Sequence, residues 1–306
     1  MKKFITLIFS FILICLFGVP LVVFYGTSGS VQEKQVDSQT VRVLDKQTGQ
    51  IKKMPIEEYL IGVVAAEMPA QFELEALKAQ AVAARTYTVK RMFAFGSKPN
   101  PQHPKAEVCT DPTHCQAWLS TDEQKKNWGR MKYYTNINRI KRAVKLTNNL
   151  VITYNGEFID PVYHASCGGK GTENSEDVWS GQVPYLRGVS CESEYKAGQQ
   201  KINVVINRAK LNSTLSENAL IPVLSKSSGE FIVTLKKSPQ GRVQEAAVTG
   251  KKISGTELRK ILGLGSTFMN WEIKGDKVHF SSTGKGHAVG MCQYGANGMA
   301  LKGITW

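Results

Sequence analysis

Between Pro55 and Lys90 apolar residues recur at helical spacing, and a single proline divides the run in two. Pro55 suits the first turn of a helix, and Glu57 and Glu58 favour its positive end. Tyr59, Val63 and Ala66 share one face. Met68 precedes Pro69, and a residue before proline avoids the helical region, so the first helix ends there. A second helix is predicted from about Glu73 to Lys90, with Leu74, Leu77, Ala81, Ala84 and Thr88 as its core stripe. Its alanines at 76, 79, 81, 83 and 84 let a neighbour approach closely.

Glu67 stands at the joint of the two helices, after Val63, Val64, Ala65 and Ala66 and before Met68. A carboxyl enclosed by such groups has a raised pKa, because desolvation disfavours its charge. That is the property of a general acid near neutral pH. The competing reading is a helix-end glutamate paired with Arg85. Lys78 and Arg85 are two turns apart and project from one face of the second helix.

Elsewhere the chain divides by composition. Phe4 to Tyr25 is an uncharged apolar run of 22 residues behind two lysines. That length spans a bilayer, and the small-x-small cleavage pattern is poor, so residues 1–25 read as an uncleaved signal-anchor. Residues 26–40 read as a flexible linker, and alternation from Val41 opens a folded part over 41–306. The net charge of +14 is spread along the chain. Nucleic acid is therefore a poor partner, while an anionic extracellular polymer or membrane surface is a better one.

Asn155-Gly156 between two β-prone runs predicts a hairpin, whose second strand would deliver Tyr163, His164 and Ser166 into the Gly168-Gly169 loop. Trp179 and Tyr185 follow, and aromatic faces suit sugar rings. "GHAVGMCQYG" places His287 and Gln293 in a glycine-rich loop, where they can donate to sugar hydroxyls or N-acetyl groups. Ser254 to Glu257 reads as a capping box for a short helix ending at Gly263.

Five cysteines follow the apolar run: Cys109, Cys115, Cys167, Cys191 and Cys292. His103, Cys109, His114 and Cys115 form the ligand set of a closed tetrahedral zinc site, though not at standard finger spacing. A Cys109–Cys115 disulfide is the rival. If zinc takes those two, Cys167 and Cys191 could pair, leaving Cys292 free.

Three stretches, "VVAAEMPAQFELEALKAQAVAARTYT", "HASCGGKGTENSEDVWSGQVPYLRGV" and "GKGHAVGMCQYGANGMALKG", strongly resemble the bacterial stage II sporulation protein D family, which includes the amidase-enhancer proteins. The likeness runs from about Val41 to the end. It implies an α+β fold: a mixed helix/sheet catalytic domain behind the anchor, with two subdomains around a cleft. It further implies a membrane-anchored lytic transglycosylase of forespore engulfment, acting outside the cytoplasm on peptidoglycan strands stripped of peptides. Glu67 takes the position of the family's catalytic glutamate, and Lys78 and Arg85 match basic residues that support activity. With Gln116, Tyr163, Ser166, His287 and Gln293 they make the expected substrate-binding set. Glu73, Glu75 and Asp177 are the reserve of second carboxylates. Catalysis needs no cofactor, and some relatives carry a His/Cys cluster with zinc near the cleft. Implied partners are stage II sporulation protein P, an amidase/endopeptidase, and stage II sporulation protein M. Two departures stand out. Cys292 replaces a common serine, and the chain stops at "LKGITW" where relatives continue with a short helical tail. The alternative function is a non-catalytic glycan-binding amidase enhancer. A zinc hydrolase is disfavoured, because four protein ligands leave no position for water.

Overall fold

The alternation at Val41 and Val43 becomes strand β1 (Thr40–Leu44), which buries those two valines and pairs antiparallel with β2 (Ile51–Pro55). This is a computed structural model, and it describes residues 40–179, 181–194, 200–218 and 231–306. All of them lie within one compact unit, Ser38–Trp306. The expected signal-anchor at 1–25 and almost all of the 26–40 linker fall outside the described residues. No helix among the described residues is long and apolar enough to cross a membrane.

Helix α1 (Ile56–Glu67) starts behind Pro55 and stops at Met68, whose backbone is already extended before Pro69. Helix α2 (Leu74–Arg91) buries Leu77, Ala81, Ala84 and Thr88. Both pack against α3 (Thr121–Leu146). Ser120 and Glu123 close a reciprocal capping box at its start, and Gly129 kinks it with a left-handed φ of 71°. Arg139 of α3 donates to the carbonyls of Ala70 and Phe72, at 3.0 and 2.7 Å, so the third helix grips the joint between the first two. The short strand β3 (Val108–Cys109) adds parallel to β1.

The Asn155-Gly156 hairpin forms, with both residues at positive φ between β4 (Thr153–Tyr154) and β5 (Glu157–Phe158). It is shorter than expected. Tyr163 and His164 belong to a separate strand, β6 (Tyr163–His164), which pairs in parallel with β13 (Met291–Cys292). That pairing joins two of the sequence stretches that carry the family resemblance. Helix α4 (Ser175–Val178) follows on the same loop system.

Residues 201–218 and 231–283 bury an apolar core that includes Leu211, Val243, Ala246, Leu258, Val278 and Phe280. Around it lie β7 (Lys201–Asn207), α5 (Arg208–Asn218), β8 (Ile232–Lys237), β9 (Val243–Val248) and β10 (Lys251–Ser254). Helix α6 (Gly255–Ile261), β11 (Met269–Lys274) and β12 (Lys277–Thr283) complete this part. The strands form two antiparallel sheets, ordered β10-β9-β8 and β11-β12-β7. Ser254 caps α6 by accepting from the Glu257 amide, as its sequence predicts. Helix α7 (Gln293–Ala300) closes the fold and packs on α2. The described residues thus make a mixed α/β fold of seven helices and several small sheets.

Candidate active site

Glu67 is the last residue of α1 and is half-buried. Its Oε1 accepts the Ala117 amide hydrogen at 2.8 Å, and its carboxyl also meets the Tyr163 hydroxyl. Burial pushes its pKa up, and the Ala117 and Tyr163 bonds offset part of that rise. The Tyr163 hydroxyl stays protonated because it is desolvated beside that carboxylate. Gln116 Nε2 donates to the Tyr163 oxygen at 2.9 Å, leaving the phenolic hydrogen for Glu67. Gln293, on the first turn of α7, donates to the Glu67 carbonyl and to Gln80 Oε1, both at 3.0 Å. The structure therefore gathers Glu67, Gln116, Tyr163 and Gln293 into one bonded group.

His287 extends this group outward. Its Nδ1 accepts the Val289 amide at 3.1 Å, so its Nε2 donates to the Tyr163 carbonyl at 3.1 Å. Burial holds its pKa down at about 4, and the ring is neutral. Trp179 lies against it with ring centroids 5.1 Å apart, and the indole is 40% exposed. Trp179 and His287 line a cavity with Asp177 and Arg259. The Tyr185 ring instead meets Tyr154, and its hydroxyl accepts the Asp160 amide.

Expected roles change at Arg85 and Ser166. Arg85 is fully buried. Its guanidinium forms a fork with Glu57, at 3.2 and 2.8 Å, and donates to the carbonyls of Val144 and Thr147 at the end of α3. With its donors spent on the protein, it neither pairs with Glu67 nor offers a hydrogen to substrate. Ser166 is also buried, and its hydroxyl donates to Glu194. It is not a substrate-facing group. Lys78 turns to Glu75 at 2.8 Å. Among the reserve acids, Glu75 is taken by that pair, and Asp177 accepts from Asn174 Nδ2 at 2.9 Å. Glu73 heads α2, where its amide donates to Asn297.

The His/Cys cluster converges. Ligand atoms of His103, Cys109, His114 and Cys115 lie within 4.8 Å of one another. Cys109 Sγ is 3.4 Å from His114 Nδ1, and Cys115 Sγ is 3.5 Å from both His114 Nδ1 and His103 Nε2. A tetrahedral zinc with ordinary bond lengths separates its nitrogen and sulfur ligands by about 3.6 Å. His103 uses Nδ1 on the Ala106 carbonyl at 2.9 Å, which directs Nε2 to the cluster, and the Cys109 amide donates to Cys115 Sγ. Both sulfurs are free thiols rather than a disulfide. From Cys115 the chain runs through Gln116 and Ala117, the two residues that hold Tyr163 and Glu67. It continues to Trp118, whose indole lies flat on Gly62 of α1, where a Cβ would fall 2.1 Å from Nε1.

Comparison with known proteins agrees with the likeness read from the motifs. The SpoIID family, described as Stage II sporulation protein, matches residues 44–154. The chain is 37% identical to stage II sporulation protein D of Bacillus subtilis over 255 residues, covering 83% of this chain and 71% of that protein. It is 33% identical to the protein of the same name from Bacillus amyloliquefaciens over 283 residues, covering 91% and 77%. It is also 27% identical over 295 residues to the amidase enhancer of Bacillus subtilis, covering 81% of this chain and 38% of that protein. The chain belongs to the stage II sporulation protein D family, whose members take part in sporulation.

Proposed function

We propose that this protein is a lytic transglycosylase that cuts peptide-free peptidoglycan strands between N-acetylmuramic acid and N-acetylglucosamine during forespore engulfment. The carrying observation is the half-buried Glu67 carboxyl, raised in pKa and held by Ala117 and Tyr163. A hydrolase normally sets two carboxyl groups about the scissile bond. Of the acids weighed as a second group, Glu75 and Asp177 are engaged with other partners. One carboxyl suffices if no water attacks. Glu67 gives its proton to the leaving oxygen as the C1–O bond breaks. The resulting carboxylate then takes the proton from the muramoyl C6 hydroxyl, whose oxygen bonds to C1 and closes a 1,6-anhydro ring.

Trp179 and His287 offer an aromatic and polar wall leading away from Glu67 through Tyr163, a surface suited to sugar rings. Lys78 remains the candidate cation for the lactyl carboxylate. The cluster of His103, Cys109, His114 and Cys115 holds a structural zinc, which fixes the segment that positions Glu67. Under this reading residues 1–25 anchor the domain outside the cytoplasm, where it works with stage II sporulation proteins P and M.

The amidase-enhancer relative favours a second reading, in which the domain binds glycan and activates a partner amidase. Glu67→Gln separates the two. The enzyme loses cleavage of purified peptide-free glycan while keeping its affinity for it, because the change removes a transferable proton and little else. Wild-type protein that binds such glycan but never cuts it would establish the enhancer instead.

A further inference from the structure

A second group of side chains of metal-ligating type ends beside Gln293, whose amide holds the Glu67 carbonyl. Cys167 follows β6, Cys191 and Glu194 lie on a later turn, and Cys292 ends β13. Their ligand atoms all fall within 4.8 Å of one another, and Cys167, Cys292 and Glu194 are buried. The sulfurs are free, so the Cys167–Cys191 pairing open to the sequence is not made.

Two observations set this group apart from ordinary buried thiols. The Cys292 sulfur accepts amide hydrogens from Cys167 at 3.3 Å and from Gly295 at 3.2 Å, the second at the start of α7. Converging amide donors and a helix N-terminus stabilise a thiolate. Next, buried His164 uses Nδ1 on the Val289 carbonyl at 3.1 Å. Its Nε2 has no partner at hydrogen-bonding geometry among the described residues, and the Cys167 sulfur lies beside the ring. A buried ring nitrogen thus borders the group on the Cys167 side, so its wall there is polar rather than apolar.

We propose that Cys167, Cys191 and Cys292 bind a zinc-class metal ion as thiolates, with Glu194 Oε2 as the fourth ligand. Cys167 Sγ and Cys292 Sγ already lie 2.7 and 3.3 Å from that oxygen as hydrogen-bonded thiols. Binding releases three thiol protons to solvent and replaces S–H···O bonds with metal–ligand bonds. The remaining capacity of the carboxylate is met by the Ser166 hydroxyl and the amides of Cys167, Gly168 and Gly169. This outer shell fixes the ligand. The role is structural: the ion ties together the residues after Tyr163 and before Gln293, two groups that hold Glu67. Gly295 is required beside it, because a Cβ there would fall 2.3 Å from Cys191 Sγ.

The test is metal content of the full chain, purified without added metal, with cobalt as an optical probe. The expected result is about two equivalents of zinc per chain, falling to about one in Cys191→Ser and in Cys292→Ser. A Cys109→Ser, Cys115→Ser double variant should still bind cobalt with intense thiolate charge-transfer absorption. Because that variant leaves the proposed ligands intact, misfolding of the Cys191 or Cys292 variants does not decide the matter. Wild-type protein with one equivalent or fewer overturns the proposal. So does peptide mapping that finds two of these three cysteines joined, or a double variant that gives no cobalt–thiolate band.

Discussion

Ala117 and Glu67 are 50 residues apart in sequence, and the amide of the first donates to Oε1 of the second at 2.8 Å. Ala117 stands two residues after Cys115, so the His/Cys cluster and the candidate acid share one short segment. A metal held by that cluster would act on Glu67 through the backbone, without touching substrate.

Stripping metal, or making Cys109→Ser, should therefore lower both the melting temperature, by about 5–10 °C, and the cleavage rate. Calorimetry and a glycan-release assay on the same samples check this. Metal-free protein that melts and cuts like the untreated protein would remove the cluster from the account.

Arg85→Ala should act on stability rather than on substrate affinity. It strips donors from the buried carbonyls of Val144 and Thr147 at the end of α3, a loss of about 1–3 kcal/mol for each group left unsatisfied, while part-exposed Glu57 turns to solvent. Denaturant melts measure the loss. A stable variant with weakened glycan binding would return Arg85 to the substrate.

His287 should give the protein an acid-labile step. Its pKa is depressed to about 4, so folded protein resists the proton that the unfolded chain accepts near 6.5. The stability from the neutral ring is present above the unfolded value and is lost as pH falls through the folded one. The loss between about pH 6.5 and 4 is on the order of 3 kcal/mol and should largely vanish in His287→Gln. Equal pH profiles for the two proteins would contradict the assignment.

Glu67 shifts the other way. Its folded pKa is raised, so its contribution to stability is full below the unfolded carboxylate value and falls as pH rises through the folded value. Glu67→Gln should thus gain stability over wild type as pH rises from the acid range to neutral. Cleavage by the wild type should decline as pH rises through that same titration, since the acid must start protonated. A gain for the Gln variant that is greatest in acid would reverse the sign and remove the buried carboxyl from the argument.

Local pattern carried much of this into view. The break at Met68-Pro69, the Asn155-Gly156 turn and the Ser254 cap each depend on neighbours within a few residues. The His103–Cys115 cluster is likewise local. Helix α3 is hard to see in the sequence because a mostly polar surface hides its sparse apolar face of Ile137, Ile140, Ala143 and Val144, although Ser120 and Glu123 mark its start. The role of Arg85 is hidden for a different reason: its partner Glu57 lies on another helix, and no spacing rule pairs residues across a packed interface. The Ala117–Glu67 bond uses a backbone amide, and any residue but proline could supply it. Convergence of Cys167, Cys191, Glu194 and Cys292 depends on the parallel pairing of β6 with β13, which brings residues 128 apart side by side (Tyr163 with Met291, Cys292 with His164).

In the proposed reaction Glu67 drives ring closure without water. Peptide-free glycan digested in heavy-oxygen water and analysed by mass spectrometry tests it directly. Fragments should end in 1,6-anhydro-N-acetylmuramic acid, lighter than hydrolysis products by one water and free of the heavy isotope. Reducing ends that carry heavy oxygen from the first time point would contradict it and make the protein a hydrolase.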